Sequence, residues 1–254
     1  MAEGDTILRI ARRLDAALAG NPVAVRAPNP RGRAAAVERL DGKRVERVES
    51  RGKHLLLHFE EGLVLHSHLG MKGSWQVYER GARWRRPERA AWAVLSVDGY
   101  DAVQFGGPTL RVLEARKLAH DSSLAPLGPD LLDDEFSVAA GVDSLRRADR
   151  TLGLGEALLD QRLISGIGNV FKSEGCFSAG INPWHWLGEL EDDELAHVIR
   201  TTRELMREAA RTGRQPHRVY GRAGEPCPRC GTILRSRGQG DENRATYWCP
   251  ACQS

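Results

Sequence analysis

Cys227-Pro228-Arg229-Cys230 and Cys249-Pro250-Ala251-Cys252 set two C-x-x-C pairs with eighteen residues between the inner cysteines. Each pair can present two thiolates to one tetrahedral ion. The intervening stretch is long enough for a hairpin that returns the second pair to the first, the spacing of a structural zinc ribbon. One structural Zn2+ held by Cys227, Cys230, Cys249 and Cys252 is therefore expected. A disulfide framework fits poorly with 254 residues, five cysteines and no apolar signal region. The fifth, Cys176, lies in an apolar helical stretch and reads as a buried free thiol. The return strand begins Asn243-Arg244, so the pinned tip presents an arginine able to grip a phosphate or enter a DNA groove.

A second chemistry lies at the other end. The chain begins Met1-Ala2-Glu3-Gly4-Asp5. Ala2 is small, so the initiator methionine is removable, exposing an α-amino group beside Glu3. Such an amine has a pKa of about 7.7–8.0 against about 10.4 for lysine, so near neutral pH a substantial minority of it is nucleophilic. An amine attacking a sugar C1′, with a carboxylic acid alongside to protonate the opening ring, makes a coherent Schiff-base site. Taken alone, Glu3 reads equally as an acid favouring a helix dipole.

Between these ends, Gly166-Ile167-Gly168-Asn169 joins two helical patterns. The glycines relax the backbone so that amides at the next helix start can face one anion, with Asn169 placed to contact it or cap the helix. Tight helical turns also carry glycine for steric reasons only.

These residues need elements to hold them. Residues 5–19 read as a helix capped by Asp5 or Thr6, with Ile7, Ala11, Leu14 and Leu18 at helical spacing. From 37 to about 118 the pattern is strand-like, with a hairpin of 54–59 and 63–66 around Glu60-Glu61-Gly62 and further short runs at 92–97, 102–105 and 110–113. Residues 120–135 have linker composition. Helical periodicity follows at 154–163, 169–178 and 191–211. The implied fold is α+β: an N-terminal β-sandwich with an N-terminal helix, a helical C-terminal domain and the β-hairpin ribbon. The expected divisions are 1–120, a linker and start of the helical region at 121–150, 151–213, and 214–254.

The formal net charge is only +3, which does not by itself nominate nucleic acid. Its distribution is more telling: residues 31–54 carry eight Lys/Arg against four acids, and 214–254 seven Arg against three. Basic blocks near both termini suit a clamp on a phosphate backbone, although solvated surface explains charge alone. No stretch approaches the roughly 18 apolar residues of a membrane span. A cytoplasmic protein with no membrane partner is expected.

Five segments in order carry a family resemblance across essentially the whole chain: Ala2-Glu3-Gly4-Asp5, Arg51-Gly52-Lys53-His54, His68-Leu69-Gly70-Met71-Lys72-Gly73, Gly166-Ile167-Gly168-Asn169-Val170-Phe171-Lys172, and the arginine-bearing ribbon. The chain resembles the Fpg/Nei family of DNA glycosylase/AP lyases, and the middle motif looks like that family's helix–two-turn–helix. The resemblance implies Ala2 as the nucleophile that forms an imine with C1′, and Glu3 as the acid assisting ring opening. It makes Lys53 a phosphate contact that also assists base release and elimination. Asn169 and Arg244 become phosphate grips, Arg244 also serving the second elimination, and Gly168 and Lys172 join the DNA-binding set. Met71 falls where the family inserts an apolar wedge beneath a flipped base, and Phe105 resembles a second wedge residue; either could instead be core. Damaged DNA, duplex or single-stranded, is the implied partner of a monomer in a bacterial cytoplasm, associated with the nucleoid.

Two positions depart from the pattern. The family usually has proline at position 2, whose imine is permanently charged; alanine gives an imine that is an electron sink only when protonated. Base excision should survive while strand cleavage slows, and a retained Met1 would abolish the covalent route. Val103 stands where formamidopyrimidine enzymes carry an arginine, and residues 212–220 are too short for their long lesion-covering loop. Both point to the endonuclease VIII branch and to oxidised pyrimidines. The competing readings are a lesion- or abasic-site-binding protein with weakened lyase activity at Ala2, and a generic zinc-ribbon nucleic-acid module.

Overall fold

The computed structural model describes residues 2–253. Met1, and with it the question of its removal, lies outside them. The chain forms two compact units: Ala2 with Thr6–Ala125, and Glu3–Asp5 with the residues from Pro126 onward.

Helix α1 (Gly4–Leu18) starts before the expected caps, so that Asp5 and Thr6 lie within its first turn, and from Thr6 onward it belongs to the first unit. Its Ile7, Ala11, Leu14 and Leu18 are buried in one stripe. Eight strands follow: β1 (Ala24–Arg26), β2 (Val45–Arg51), β3 (His54–Phe59), β4 (Leu63–His68), β5 (Ser74–Glu79), β6 (Ala93–Val97), β7 (Tyr100–Phe105) and β8 (Thr109–Glu114). A short helix, α2 (Pro30–Ala34), follows β1 and is capped by the Asn29 side chain, which accepts from the Arg31 amide. The strands pair antiparallel in two four-stranded sheets, in the orders β1-β6-β7-β5 and β2-β3-β4-β8. Alternate side chains from both sheets, such as Leu55, Leu57 and Leu65 from one and Trp75, Leu95 and Ala102 from the other, share a core with the α1 stripe. This is the expected sandwich. The predicted 54–59/63–66 hairpin is present in register, Phe59 opposite Leu63 and His54 opposite His68.

The second unit holds α3 (Val138–Arg146), α4 (Leu154–Leu159), α5 (Asn169–Ala179) and α6 (Asp192–Thr212), then β9 (Arg235–Gln239) and β10 (Arg244–Trp248). The α3 helix was not legible as a separate element; the Ser137 hydroxyl caps it by accepting from the Ala140 amide. The helix expected to run to 163 stops at Leu159, because the Gln161 side chain braces a turn instead. Its Nε2 donates to the carbonyls of Leu159 and Ile167, and its Oε1 accepts from the Gly166 amide. Residues 169–177 of α5 are buried on every face. Gly180, at φ 76°, ends α5, and Gly213, at φ 72°, ends α6, both in left-handed C-terminal caps. No helix among the described residues is long and apolar enough to cross a membrane.

Candidate active site

In the first unit, Ala2 lines a cavity of about 470 Å3 together with Thr6, Arg9, Met71, Gln76 and Arg85. Thr6 and Arg9 sit one turn apart on the polar side of α1, so helical periodicity was the signal that could have nominated them. Met71 rides on the tight turn between β4 and β5. The Gly73 amide donates to the Leu69 carbonyl at 2.9 Å, and a Cβ at Gly73 would lie 2.6 Å from that same oxygen. The turn leaves the Met71 side chain 75% exposed, an uncommon place for a large apolar group. Lys53 sits in the turn between β2 and β3, and its charge adds to burial in holding the pKa of His68 below the usual histidine value.

Phe105 corrects an expectation. It is buried, packed with Ala91, Val94 and Val103 on the outer face of its sheet, with Trp84 edge-on and the Arg86 guanidinium over its ring. The alternation of β7 points it into this cluster, so it is a core residue and not an exposed wedge. Val103 is buried in the same cluster.

In the second unit, Glu3 is fully buried. Its Oε1 accepts from the Val170 amide at 2.9 Å and its Oε2 from the Phe171 amide at 3.3 Å. The acid therefore sits on the N-terminus of α5, 167 residues along the chain, where it accepts from two amides that the helix itself leaves without partners. The Gly4 amide donates to the Gly166 carbonyl at 2.9 Å and fixes this approach. Gly166, at φ 99°, takes the left-handed conformation the turn requires. Gly168 is needed for space: a Cβ there would lie 2.2 Å from Glu3 Cδ.

Asn169, the first residue of α5, does not cap the helix. Its Nδ2 donates to the Ala245 carbonyl at 2.8 Å, while its buried Oδ1 finds no partner among the described residues. The bond ties the start of α5 to β10, where Arg244 is the neighbouring residue. Arg244 has a half-exposed head paired with Glu242 at 2.8 Å.

Lys172 is a second correction. It is fully buried, its Nζ donating to Thr246 Oγ1 at 2.6 Å, and Thr246 Oγ1 donating in turn to Gln239 Oε1 at 2.7 Å. Burial lowers its pKa to about 8, against the opposing pull of Cys176 and Glu3. An ammonium enclosed in this way cannot reach a phosphate; it pins α5 to the hairpin.

The four hairpin cysteines converge, every Sγ within 4.8 Å of the others. Cys227 Sγ lies 3.9 Å from Cys252 Sγ, and Cys230 Sγ 3.6 Å from Cys249 Sγ. Four thiolates at about 2.3 Å from a tetrahedral zinc ion stand about 3.8 Å apart, and disulfide sulfurs only about 2.05 Å. The donor set fits Zn2+. Cys176 is buried among the helices, where burial pushes its thiol up to about 12, so it is inert.

A β-sandwich and a helical unit ending in a four-cysteine hairpin, with a carboxylate seated on the helix that follows a Gly-x-Gly turn, define a class of zinc-ribbon, helix–two-turn–helix proteins. Residues 1–120 match the formamidopyrimidine-DNA glycosylase N-terminal domain, 127–220 the formamidopyrimidine-DNA glycosylase H2TH domain, and 224–254 the zinc finger found in FPG and IleRS. The chain belongs to the formamidopyrimidine-DNA glycosylase family. It is 45% identical to the probable endonuclease 8 2 of Streptomyces coelicolor, covering 100% of this chain and 94% of that one. It is 38% identical to the DNA-(apurinic or apyrimidinic site) lyase Nei2 of Mycolicibacterium smegmatis, covering 100% and 99%. The fold matches that of Lactococcus lactis formamidopyrimidine-DNA glycosylase non-covalently bound to DNA containing an AP site, at TM-score 0.83, 21% identity and 99% of each chain.

Proposed function

We propose that this protein is a base-excision-repair DNA glycosylase with AP lyase activity of the endonuclease VIII type, working from the α-amine of Ala2. The observation that carries the reading is the placement of Glu3. A buried carboxylate directly after a small residue that can become the N-terminus has a use in amine catalysis and none in zinc-ribbon binding alone.

Glu3 is placed to relay a proton between the attacking amine and the opening ring. As the Ala2 amine bonds to C1′, the glycosidic bond breaks and the base leaves as its nitrogen anion, which takes a proton from water. The Ala2 nitrogen sheds a proton to Glu3, and the acid returns it to the ring oxygen as the C1′–O4′ bond opens and the imine forms. Loss of a C2′ proton then expels the 3′ phosphate. The Ala2 imine draws electrons only while protonated, so this elimination is the slow step. Lys53, Asn169, Arg244 and the amide of Gly168 serve as phosphate-binding groups, and Met71 as the wedge that offsets lost stacking. The oxidised pyrimidines are the favoured lesions, because Val103 offers no donor to an orphaned base. The protein acts as a monomer on damaged duplex or single-stranded DNA in a bacterial cytoplasm, a setting supported by its bacterial relatives.

Borohydride reduction in the presence of thymine glycol or abasic duplex tests this, with intact mass reporting the N-terminal residue. A covalent adduct on Met1-free protein, lost in Glu3→Gln or after amine blocking, is the expected result. Tight lesion binding without an adduct from a free Ala2 would overturn the lyase reading in favour of a damage-binding protein.

A further inference from the structure

Three histidines on neighbouring strands of the first unit are unused by this mechanism. His54 opens β3 directly after Lys53, and His66 and His68 close β4, with His54 and His68 as cross-strand partners. The His54 ring lies 5.0 Å from that of His66 and 4.7 Å from that of His68. His54 Nδ1 is 2.8 Å from His66 Nε2. Behind them, Arg111 on β8 donates from Nε to His66 Nδ1 at 3.1 Å. Its Nη2 is held by Asp121 Oδ1 at 2.7 Å and Ser123 Oγ at 3.0 Å, and the Ser123 hydroxyl donates to the same Asp121 oxygen at 2.6 Å.

This chain has a direction. A guanidinium can only donate, so His66 Nδ1 must accept, and the proton of a neutral His66 lies on Nε2. That N–H donates to His54 Nδ1, which leaves the proton of a neutral His54 on its own Nε2. Both rings are neutral: burial first, then neighbouring positive charge, holds His54 at about 3 and His66 at about 4. The charged and titratable groups facing the rings are His54, His66, His68, Arg111 and Asp121, with Lys53 beside His68. His54 is partly exposed and follows Lys53 directly in the chain, and the hydrogen bond to His66 uses only its Nδ1, so Nε2 is the edge left to a ligand at that turn.

We propose that Arg111 and His66 are positioning residues that fix His54 as the Nε2–H tautomer, so that the turn bearing Lys53 offers a DNA phosphate oxygen a neutral donor beside its ammonium. The ligand rests on the DNA-repair reading above; the tautomer does not. A neutral donor suits this place because a second cation beside Lys53 would raise the cost of desolvating both. The design also keeps the grip independent of pH across the neutral range, since neither ring gains charge there.

Two measurements on the full chain test the relay. Long-range 1H–15N correlation of the histidine rings at pH 7 should show His54 and His66 as Nε2–H tautomers. In Arg111→Met, His66 should become a tautomer mixture, and affinity for duplex DNA with a tetrahydrofuran abasic analogue should fall about three- to tenfold. The loss should shrink below about pH 6 as freed histidines become cationic. Arg111→Lys, which can still donate, should restore the tautomer and most of the affinity. His54→Phe keeps a ring in place without the donor and should lose a similar factor, so the idea survives a folding failure of the Arg111→Met variant. A wild-type His54 found as Nδ1–H or imidazolium, or undiminished affinity in His54→Phe, would overturn it. Neither readout requires turnover, so a protein that grips abasic DNA through the relay yet excises nothing would refute the proposed activity and leave this inference standing.

Discussion

The Glu3 carboxylate occupies the space that a side chain at Gly168 would need. A Cβ on Gly168 would lie 2.2 Å from Glu3 Cδ and 2.5 Å from Oε1, far inside van der Waals contact. The Gly168 backbone, at φ −118°, is accessible to any residue, so the requirement for glycine there is one of room and not of conformation.

Gly168→Ala should therefore act as a displaced-acid variant. Single-turnover excision of thymine glycol should fall by about 10²–10⁴, the usual worth of a positioned general acid. Glu3→Gln should fall in the same range, while the double variant should lose little beyond either single change, because both remove one function. Zinc content and near-native melting in Glu3→Gln would show that the fold is not what was lost. Additive losses in the double variant would contradict the shared role.

Ala2→Pro tests the imine argument. A secondary amine gives an iminium that needs no added proton, so strand cleavage should catch up with base excision, most visibly above pH 8 where the alanine imine is least protonated. Parallel gels with and without alkaline workup measure the two steps separately. An unchanged ratio of cleavage to excision would show that imine protonation does not limit the wild-type protein.

What sequence could reveal followed the range of the interactions involved. The zinc spacing, the 54–66 hairpin and the α1 stripe are local patterns, and each appears as read. Glu3 was legible as an acid beside an amine, but its seat on the α5 amides joins positions 167 residues apart and leaves no local trace. Phe105 and Lys172 misled for opposite reasons. An aromatic at a strand end says nothing about which sheet face is covered, and a lysine three residues into a helix start looks solvated until the partner helices and hairpin enclose it. The Arg111–His66–His54 chain spans three strands, and only their register reveals it.

The ribbon should contain one Zn2+ per chain. Cys249→Ser, at the fully buried ligand, should reduce metal content to background and unfold the hairpin, since metal-binding energy is folding energy in such elements, about 10–16 kcal/mol in isolated zinc fingers. The first unit has its own core, so its thermal transition should persist. Elemental analysis alongside calorimetry checks both. Full zinc retention in Cys249→Ser would exclude the four-cysteine site.

Lys172 gives a prediction in stability alone. Its pKa falls from about 10.4 in the unfolded chain to about 8 in the folded one, so burial of its charge opposes folding. The sign follows from proton counting: between those two values the unfolded chain binds more protons, and stability rises with pH. The opposition is fully present below about pH 8 and is relieved as pH climbs towards 10.4. Lys172→Met should remove the charge while filling the space, since Thr246 keeps its bond to Gln239. The variant should be more stable at pH 7 by roughly 1–3 kcal/mol, in line with replacing other buried charges by apolar groups. It should also lack the wild-type increase above pH 8. Urea melts at pH 7, 8.5 and 10 decide this. A destabilised Lys172→Met at every pH would mean that the Lys172–Thr246 bond contributes more than the buried charge costs.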